Sequence, residues 1–479
     1  MELEKRKFKP EDVDVTYSGS MITLPETPEK MPLRSAVDVL EQKIADEEQM
    51  MDVSEHIFGH PQDALVALNK AIQTRFGWTS ATSKKISSFF GTREILPDVV
   101  NVKTGPYDHD KVQVISGQFK LPNVENPITS TPNAVNGKVC LTLYGECRKR
   151  DRAVILEVAN LARQILREES IYKGKSIKLH TNSKGKLDPN AEPEFLHTDN
   201  INVGELVLNA EELMQVEAAL WAPITQTALC KTHGIPLNRG ILLEGTYGCG
   251  KSMTAHVTSR VCVENGWTYI YLDDVRALAD ALVFAQRYQP AVVFAEDIDR
   301  VADQRDQRGN DLLNTIDGVL TKNAEVITVL TTNHVEKLEV AMLRPGRLDA
   351  VISVKAPGAE AVTKLLQQYT RDLMADGENF EKVSQMLAGH IPATIREIAE
   401  RSKLAMIYRG ASELIEDDLI VSTHNMQAHL ELLDGKPEPL SDEEVLGQAL
   451  AKVIGKNVDA EQAAKMASQT DDMWERIIN

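Results

Sequence analysis

Gly240-Ile-Leu-Leu-Glu-Gly-Thr-Tyr-Gly-Cys-Gly-Lys-Ser252 is a short apolar run that breaks into glycines and closes on a lysine and a serine. It fits the pattern Gly-x-x-x-x-Gly-Lys-Ser/Thr at Gly245, Gly250, Lys251 and Ser252. Glycines let successive backbone N–H groups turn inward around a phosphate, and the positive end of a following helix faces the same charge. Lys251 supplies a cation on a long stem and Ser252 a hydroxyl suited to Mg2+. Ile241–Leu243 reads as a buried strand and Met253–Val263 as a helix, which is the strand–loop–helix context the pattern requires. Gly245, Thr246, Tyr247, Gly248, Cys249, Gly250, Lys251, Ser252 and Met253 are therefore the expected phosphate site, with Ser252 on the metal side. A helix terminus lowers a thiol pKa, so a redox role for Cys249 stands as the lesser alternative to a small filler.

A second element, Ala291-Val-Val-Phe-Ala-Glu-Asp-Ile-Asp299, is an apolar strand that ends in carboxylates. A carboxylate at a strand tip beside a phosphate loop can complete a Mg2+ shell, and its neighbour can orient and deprotonate an attacking water. A third runs from Val329 to Asp349 as Val-Leu-Thr-Thr-Asn-His-Val-Glu-Lys-Leu-Glu-Val-Ala-Met-Leu-Arg-Pro-Gly-Arg-Leu-Asp. There Asn333 closes an apolar strand, and Arg344 and Arg347 flank a Pro-Gly turn.

With these three elements in this order, the chain resembles the AAA family of ATPases over about residues 200–430. The resemblance implies a doubly wound, P-loop α/β core followed by an all-helical lid, and ATP with Mg2+ as the bound species. It puts Asn333 at the position that holds the attacking water together with the acidic pair. Arg344 and Arg347 fall on the arginine fingers that reach a phosphate bound by a neighbouring subunit, so a ring, expected to be a homohexamer, is implied. Arginine suits that task because its charge is permanent and its fork matches phosphate oxygens. Gly389-His-Ile-Pro-Ala-Thr-Ile395 falls where such a lid closes over the nucleotide.

Two departures from the family pattern matter. Most members have Asp then Glu at the acidic strand end, whereas this chain has Glu296 then Asp297. By position Glu296 takes the Mg2+ side and Asp297 the water, and the shorter Asp297 implies slow hydrolysis or an adjusted geometry. The inverted pair, Thr-Thr-Asn-His and Leu-Arg-Pro-Gly-Arg are similar to the mitochondrial respiratory-complex-III assembly ATPases, so inactivity does not follow. The second departure is at the pore. Threading relatives carry an aromatic–hydrophobic–Gly loop between the second and third strands, but here Tyr269-Ile-Tyr-Leu-Asp-Asp-Val runs without glycine into a helical pattern of Val275, Leu278 and Leu282. Threading through that loop is disfavoured. Asp303-Gln-Arg-Asp-Gln-Arg-Gly309 is read as a solvated charged loop, with pore lining as the alternative.

The formal charge of −18 opposes non-specific attraction to nucleic acid or anionic membrane. No run of about 18 apolar residues occurs, and Met1-Glu-Leu-Glu-Lys-Arg-Lys has no apolar core behind it; the expectation is a cytoplasmic protein without a membrane span. Cys140, Cys147, Cys230, Cys249 and Cys262 are scattered without paired spacing, so neither a disulfide framework nor a zinc site is suggested.

The remaining chain organises around the core. Residues 1–34, with Pro10, Pro25, Pro28 and Pro32, read as a flexible arm. Residues 35–170 read as an amino-terminal α+β domain that meets a protein substrate or adaptor, with helices near Arg34–Met51, Pro61–Thr74 and Arg152–Glu168 around β-rich pieces. Residues 171–200, with Lys173, Lys175, Lys178, Lys184 and Lys186, read as a solvated linker in preference to a nucleic-acid contact, because no aromatics interleave the lysines. Residues 201–357 are the expected large ATPase subdomain, 358–433 the helical lid and 434–479 a helical tail.

Overall fold

The computed structural model describes residues 16–18, 21–23, 30–77, 84–88, 91–95, 98–135, 138–183, 185–188, 191–299, 324–338, 347–375 and 378–433. The chain divides into two units, Met1–Lys355 and Ala356–Asn479. Within the arm expected at 1–34, three short strands, Thr16–Ser18, Met21–Thr23 and Met31–Pro32, pair into a small antiparallel sheet. Helix α1 (Leu33–Glu47) follows.

In the amino-terminal part, β1 (Met50–Phe58), β2 (Gln118–Phe119), β3 (Ile128–Val135) and β4 (Lys138–Arg148) form an antiparallel sheet in the order β1-β4-β3-β2. Helix α2 (Pro61–Phe76) starts at a proline, whose fixed φ suits the first helical position, and carries Asp63 in its first turn. Helix α3 (Arg152–Glu168) buries Ile155, Val158, Ala159, Ala162, Ile165 and Leu166. Their spacing of three and four residues makes one apolar stripe, which packs beside α2.

The second sheet contains β5 (Ser176–Leu179), β6 (Glu194–Phe195), β7 (Arg239–Glu244), β8 (Thr268–Leu272), β9 (Ala291–Ala295), β10 (Val326–Thr332) and β11 (Ala350–Ser353). Their order is β6-β5-β8-β9-β10-β7-β11. Only the β5–β6 pair is antiparallel. Side chains of β9 and β10 are buried on both faces, as a parallel sheet covered on two sides requires. Helix α4 (Lys251–Glu264) follows β7, and α5 (Leu278–Ala285) lies between β8 and β9. Because the chain leaves β7 for β8, returns through β9 to β10, and then crosses to β11, the strand order reverses at β7. Ligands of such sheets bind at that switch point, beyond the carboxyl ends of the strands.

The expected linker is corrected by this topology. Ser176–Leu179 is not a solvated connector but a strand in parallel register with β8, from Ser176 opposite Tyr269 to Leu179 opposite Leu272. Ile177 and Leu179 are buried, and Lys178 pairs with Asp273 at 2.9 Å. The two sheets consequently share one apolar core, running from Val53, Leu68 and Ile155 through Tyr172 and Ile177 to Ile270, Leu278 and Val293. In the second unit, α6 (Ala359–Thr370), α7 (Glu381–Leu387), α8 (Pro392–Tyr408) and α9 (Glu416–Leu433) supply a helical array whose core includes Leu366, Val383, Ile395, Ile398 and Leu419. Gly389–Ile395 leads into α8, and the Gly389 N–H donates to the Pro357 carbonyl at 2.9 Å. The tail at 434–479 lies outside the described residues. Among the described residues, no helix is long and apolar enough to cross a membrane. All five cysteines are free and buried.

A buried polar network joins the two sheets. His60 Nε2 donates to the Ala191 carbonyl at 3.2 Å, which fixes the ring proton there and leaves Nδ1 to accept from the Tyr172 hydroxyl at 3.4 Å. The His60 N–H donates to the Tyr288 hydroxyl at 3.1 Å. Asp63 accepts from Ser170 Oγ at 2.6 Å and from the Ile171 N–H at 3.0 Å. Burial raises the Asp63 pKa from 3.8 to about 6, against the pull of the Ser170, Ile171 and Tyr288 hydrogen bonds. Burial also lowers the His60 pKa from 6.5 to about 4. Asp63 therefore contributes stability that is present below pH 3.8 and lost as pH rises through about 6. His60 contributes stability that is present above pH 6.5 and lost as pH falls through about 4, so the two slopes oppose one another.

Replacing Asp63 by Asn should uncover the histidine slope. Chemical denaturation at pH 6.5 and pH 4 is expected to show the variant losing about 3 kcal/mol more than wild type over that interval. Parallel pH dependences would show that folding does not raise the Asp63 pKa.

Candidate active site

The site grows from the end of β7. Five of that strand's neighbours in the register with β10, from Gly240 opposite Thr328 to Glu244 opposite Thr332, bring the loop after Glu244 against the residue after Thr332. At Gly245 the backbone passes so close to β11 that an added Cβ would stand 2.1 Å from the Val354 carbonyl oxygen, and φ is 153°. Only glycine fits there. The loop then enters α4 at Lys251, a buried residue. Lys251 Nζ donates to the carbonyls of Gly245 at 2.6 Å and Thr246 at 2.8 Å, and to Asn333 Oδ1 at 2.8 Å. Burial lowers its pKa from the ordinary lysine value, while Asp297, Asp299 and Glu296 act in the other direction. Thr246 and Tyr247 are exposed at the loop, and Cys249 is buried with Sγ 2.8 Å from Thr246 Oγ1. Ser252 is exposed in the first turn of α4, with Met253 half-buried beside it.

Past Ala295 the chain turns sharply. Asp297 has φ 53°, a left-handed conformation that costs a residue with a Cβ about 1 kcal/mol or more. Neighbouring strand β10 holds it: the Asp297 N–H donates to Thr331 Oγ1 at 3.1 Å, and the Ile298 N–H to the Thr331 carbonyl at 2.9 Å. The Asn333 side chain donates through Nδ2 to Asp297 Oδ1 at 3.0 Å. One amide thus faces a cation with its oxygen and a carboxylate with its nitrogen, the orientation that satisfies both. Asp299 is buried and accepts at Oδ1 from Thr332 Oγ1 at 2.8 Å and from the Asn333 N–H at 3.3 Å.

Lys251, Asp297 and Asn333, singled out from sequence, therefore meet at one point. Glu296 stands beside them with Oε1 buried and without a hydrogen-bond partner. An oxygen anion in that condition, with the Ser252 hydroxyl on the loop's helix, fits a hard divalent cation. The roles of Thr331, Thr332 and Asp299 were not assigned from sequence. Their signal was present in Thr-Thr-Asn at the end of β10 and in the second carboxylate of Glu-Asp-Ile-Asp, because polar residues capping buried strands need partners.

Arg347 does not join this group. An added Cβ on Gly240 would lie 1.9 Å from the Arg347 carbonyl oxygen, and Gly240 exchanges two hydrogen bonds with Asp349: Gly240 N–H to Asp349 Oδ2 at 3.0 Å, and Asp349 N–H to the Gly240 carbonyl at 2.7 Å. These contacts fix Arg347 at the start of β7, whereas Lys251 lies past its end, about 16 Å of strand away. Arg344 and Asp303–Gly309 lie outside the described residues. The interval after β8 is a single 3-10 turn, Val275–Ala277, running into α5, and Val275, Leu278 and Leu282 are buried as the helical spacing implies.

Residues 241–356 match the family described as "ATPase family associated with various cellular activities (AAA)". Among curated proteins, the chain is 29% identical over 258 residues to "Probable inactive ATP-dependent zinc metalloprotease FTSHI 2, chloroplastic" of Arabidopsis thaliana, covering 48% of this chain and 28% of that protein. It is 28% identical over 222 residues to "ATPase family gene 2 protein" of Saccharomyces cerevisiae, covering 42% and 28%. To "26S proteasome regulatory subunit 8 homolog" of Schizosaccharomyces pombe it is 25% identical over 230 residues, covering 43% and 57%. The matched region spans less than two thirds of each of these relatives.

The Gly240 contact can be tested by adding one methyl group. Gly240→Ala should cost about 1–3 kcal/mol of stability through overpacking against the Arg347 backbone, read as a lowered urea midpoint. An unchanged midpoint would mean that the turn is not seated on β7 as described.

Proposed function

The chain belongs to the AAA family of ATPases, and from that premise we propose that it binds and hydrolyses ATP at the subunit interfaces of a ring, expected to be a homohexamer. The ring uses the cycle to remodel a protein or protein assembly held by the amino-terminal part. The observation that carries the hydrolytic reading is the Lys251–Asn333–Asp297 chain of contacts. Lys251 supplies charge to the phosphates. Asp297 accepts the proton of an attacking water, and Asn333 orients both that water and the carboxylate. Ser252 and Glu296 would hold Mg2+, which supplies charge neutralisation between the terminal phosphates. Arg347 is too far along β7 to serve its own Lys251, which supports its action, with Arg344, on the nucleotide of a neighbouring subunit.

The absence of glycine and of an extended loop after β8 supports remodelling of folded surfaces over threading by an aromatic pore loop. The charge of −18 makes a nucleic-acid-handling role the least favoured, and a cytoplasmic location is part of the reading. One observation favours a second reading, a nucleotide-gated scaffold with slow turnover: the carboxylate held by Asn333 belongs to the shorter Asp297.

Steady-state hydrolysis together with nucleotide binding discriminates these. Lys251→Ala should weaken ATP binding at least tenfold. Asp297→Asn should bind ATP normally and turn over about 100-fold more slowly or worse, and Arg347→Ala should also bind without turnover. Mixing Lys251→Ala with Arg347→Ala subunits should restore partial activity, because an intact loop can then face an intact arginine. Full activity in any single variant removes that residue's role, and slow wild-type turnover by assembled rings favours the scaffold.

A further inference from the structure

The first sheet meets the second along a seam that the nucleotide site does not use. There the hairpin of β3 and β4, helix α5 and the segment after β5 line a cavity of about 280 Å³. That is close to the lower bound of small-molecule pockets, about 300–1,000 Å³. Its wall is largely apolar, built from Val139, Leu179, Leu187, Pro193, Val283 and Phe284. Val283 is 38% exposed, although Leu278, Ala281, Leu282 and Ala285 of the same helix are buried. The Phe284 ring is held by those of Tyr288, with centroids 4.6 Å apart, and Tyr172, at 6.4 Å. His60 also lines the cavity, but both of its ring nitrogens already have partners in Ala191 and Tyr172.

Charge is divided between two ends. At one stand Lys138 and Arg287; Arg287 Nη1 donates to the carbonyl of Val139, the residue after Lys138, at 3.1 Å. Among the described residues neither cation has a carboxylate partner, and the Arg287 Nε and Nη2 donors are unclaimed. Asp280 and Asp188 mark the other end. Asp280 lies in the first turn of α5 and Arg287 two residues past its end, about 10 Å farther along the axis. Asp280 Oδ2 accepts from the Leu187 N–H at 3.4 Å, and Asp188 has a partner of its own. His180, the remaining ionisable group of the wall, faces Glu194 at 3.6 Å. The acids are thus engaged and the two cations are not.

We propose that this cavity binds a small amphipathic carboxylate, with its head on Arg287 and Lys138 and an apolar body of about eight carbons along Val283 and Phe284. A half-buried guanidinium without a counter-charge is costly, and its paired N–H donors match the two oxygens of a carboxylate. Lys138 adds a second positive charge at the same end. The body removes the exposed part of Val283 and the Phe284 ring from water. Asp280 and Asp188 repel an anionic head, so one orientation is selected. None of these residues belongs to the nucleotide site, and the proposal does not rest on ATP hydrolysis.

Isothermal titration calorimetry of the full chain tests it, with octanoate, octanol, octylamine and butanoate as probes. Octanoate should saturate one site per chain, with octanol and butanoate at least tenfold weaker and octylamine showing no saturable binding. Arg287→Gln should weaken octanoate about tenfold and leave octanol unchanged. Lys138→Gln should weaken octanoate severalfold; Lys138 is exposed, so this variant tests the charge without disturbing the interior. Val283→Asp, which places a like charge in the wall, should abolish octanoate binding. The urea midpoint of each variant separates a loss of fold from a loss of the site, and if Arg287→Gln is destabilised, Lys138→Gln and the neutral probe decide. Absence of saturable octanoate binding overturns the proposal. So does full octanoate affinity in both charge variants, butanoate binding as tightly as octanoate, or octylamine matching it.

Discussion

The carboxamide of Asn333 lies between an ammonium and a carboxylate, and the rest of the active region is arranged so that it can stay there. Its oxygen meets Lys251 at the start of α4 and its nitrogen meets Asp297 beyond β9, so one side chain immediately after β10 links three elements that are far apart in the chain. The link is sensitive to register. β10 lies between β7 and β9, and sliding it by one residue would turn Asn333 to the other face of the sheet. Asp299 opposes that slip by holding both the Thr332 hydroxyl and the Asn333 backbone. The strained φ of Asp297 is tolerated for the same reason, since Thr331 determines the local backbone through two hydrogen bonds.

In the function proposed above, opposite ends of β7 would carry opposite halves of one reaction. At one end the backbone folds into the phosphate loop; at the other, the Gly240–Asp349 exchange seats Arg347. A rigid strand buried in a parallel sheet keeps the two ends at fixed separation. A movement of the sheet as a body would therefore be felt by the loop and by the arginine together. In the proposed ring, strand rigidity alone would relate events in one subunit to the site of the next.

Much of the core was legible because its signals are local. The loop pattern, the apolar strand with its carboxylates and the Thr-Thr-Asn end each identify themselves within a dozen residues. Helix α3 was readable to its ends because its apolar residues keep helical spacing and the sequence changes character on both sides. What sequence did not disclose depends on long-range pairing. Ser176-Ile-Lys-Leu179 alternates like a strand, but the surrounding lysines and Gly174 and Gly185 mask it, and its partner Tyr269 is more than ninety residues away. Asp63 and His60 were unremarkable as residues, and become notable only when burial shifts both of their proton affinities.

The extra strands β5 and β6 also determine where the protein can be divided. Without them β8 would be an outermost strand, offering Tyr269 and Ile270 and a row of unpaired amides and carbonyls to any other chain. A fragment beginning at residue 201 keeps every residue of the phosphate loop and acidic pair, yet it strips that protection and removes Tyr172 and Ile177 from the common core. The ATPase sheet is thus finished by a segment that precedes it in the chain, and the smallest piece expected to remain monodisperse in solution must reach back to include β5.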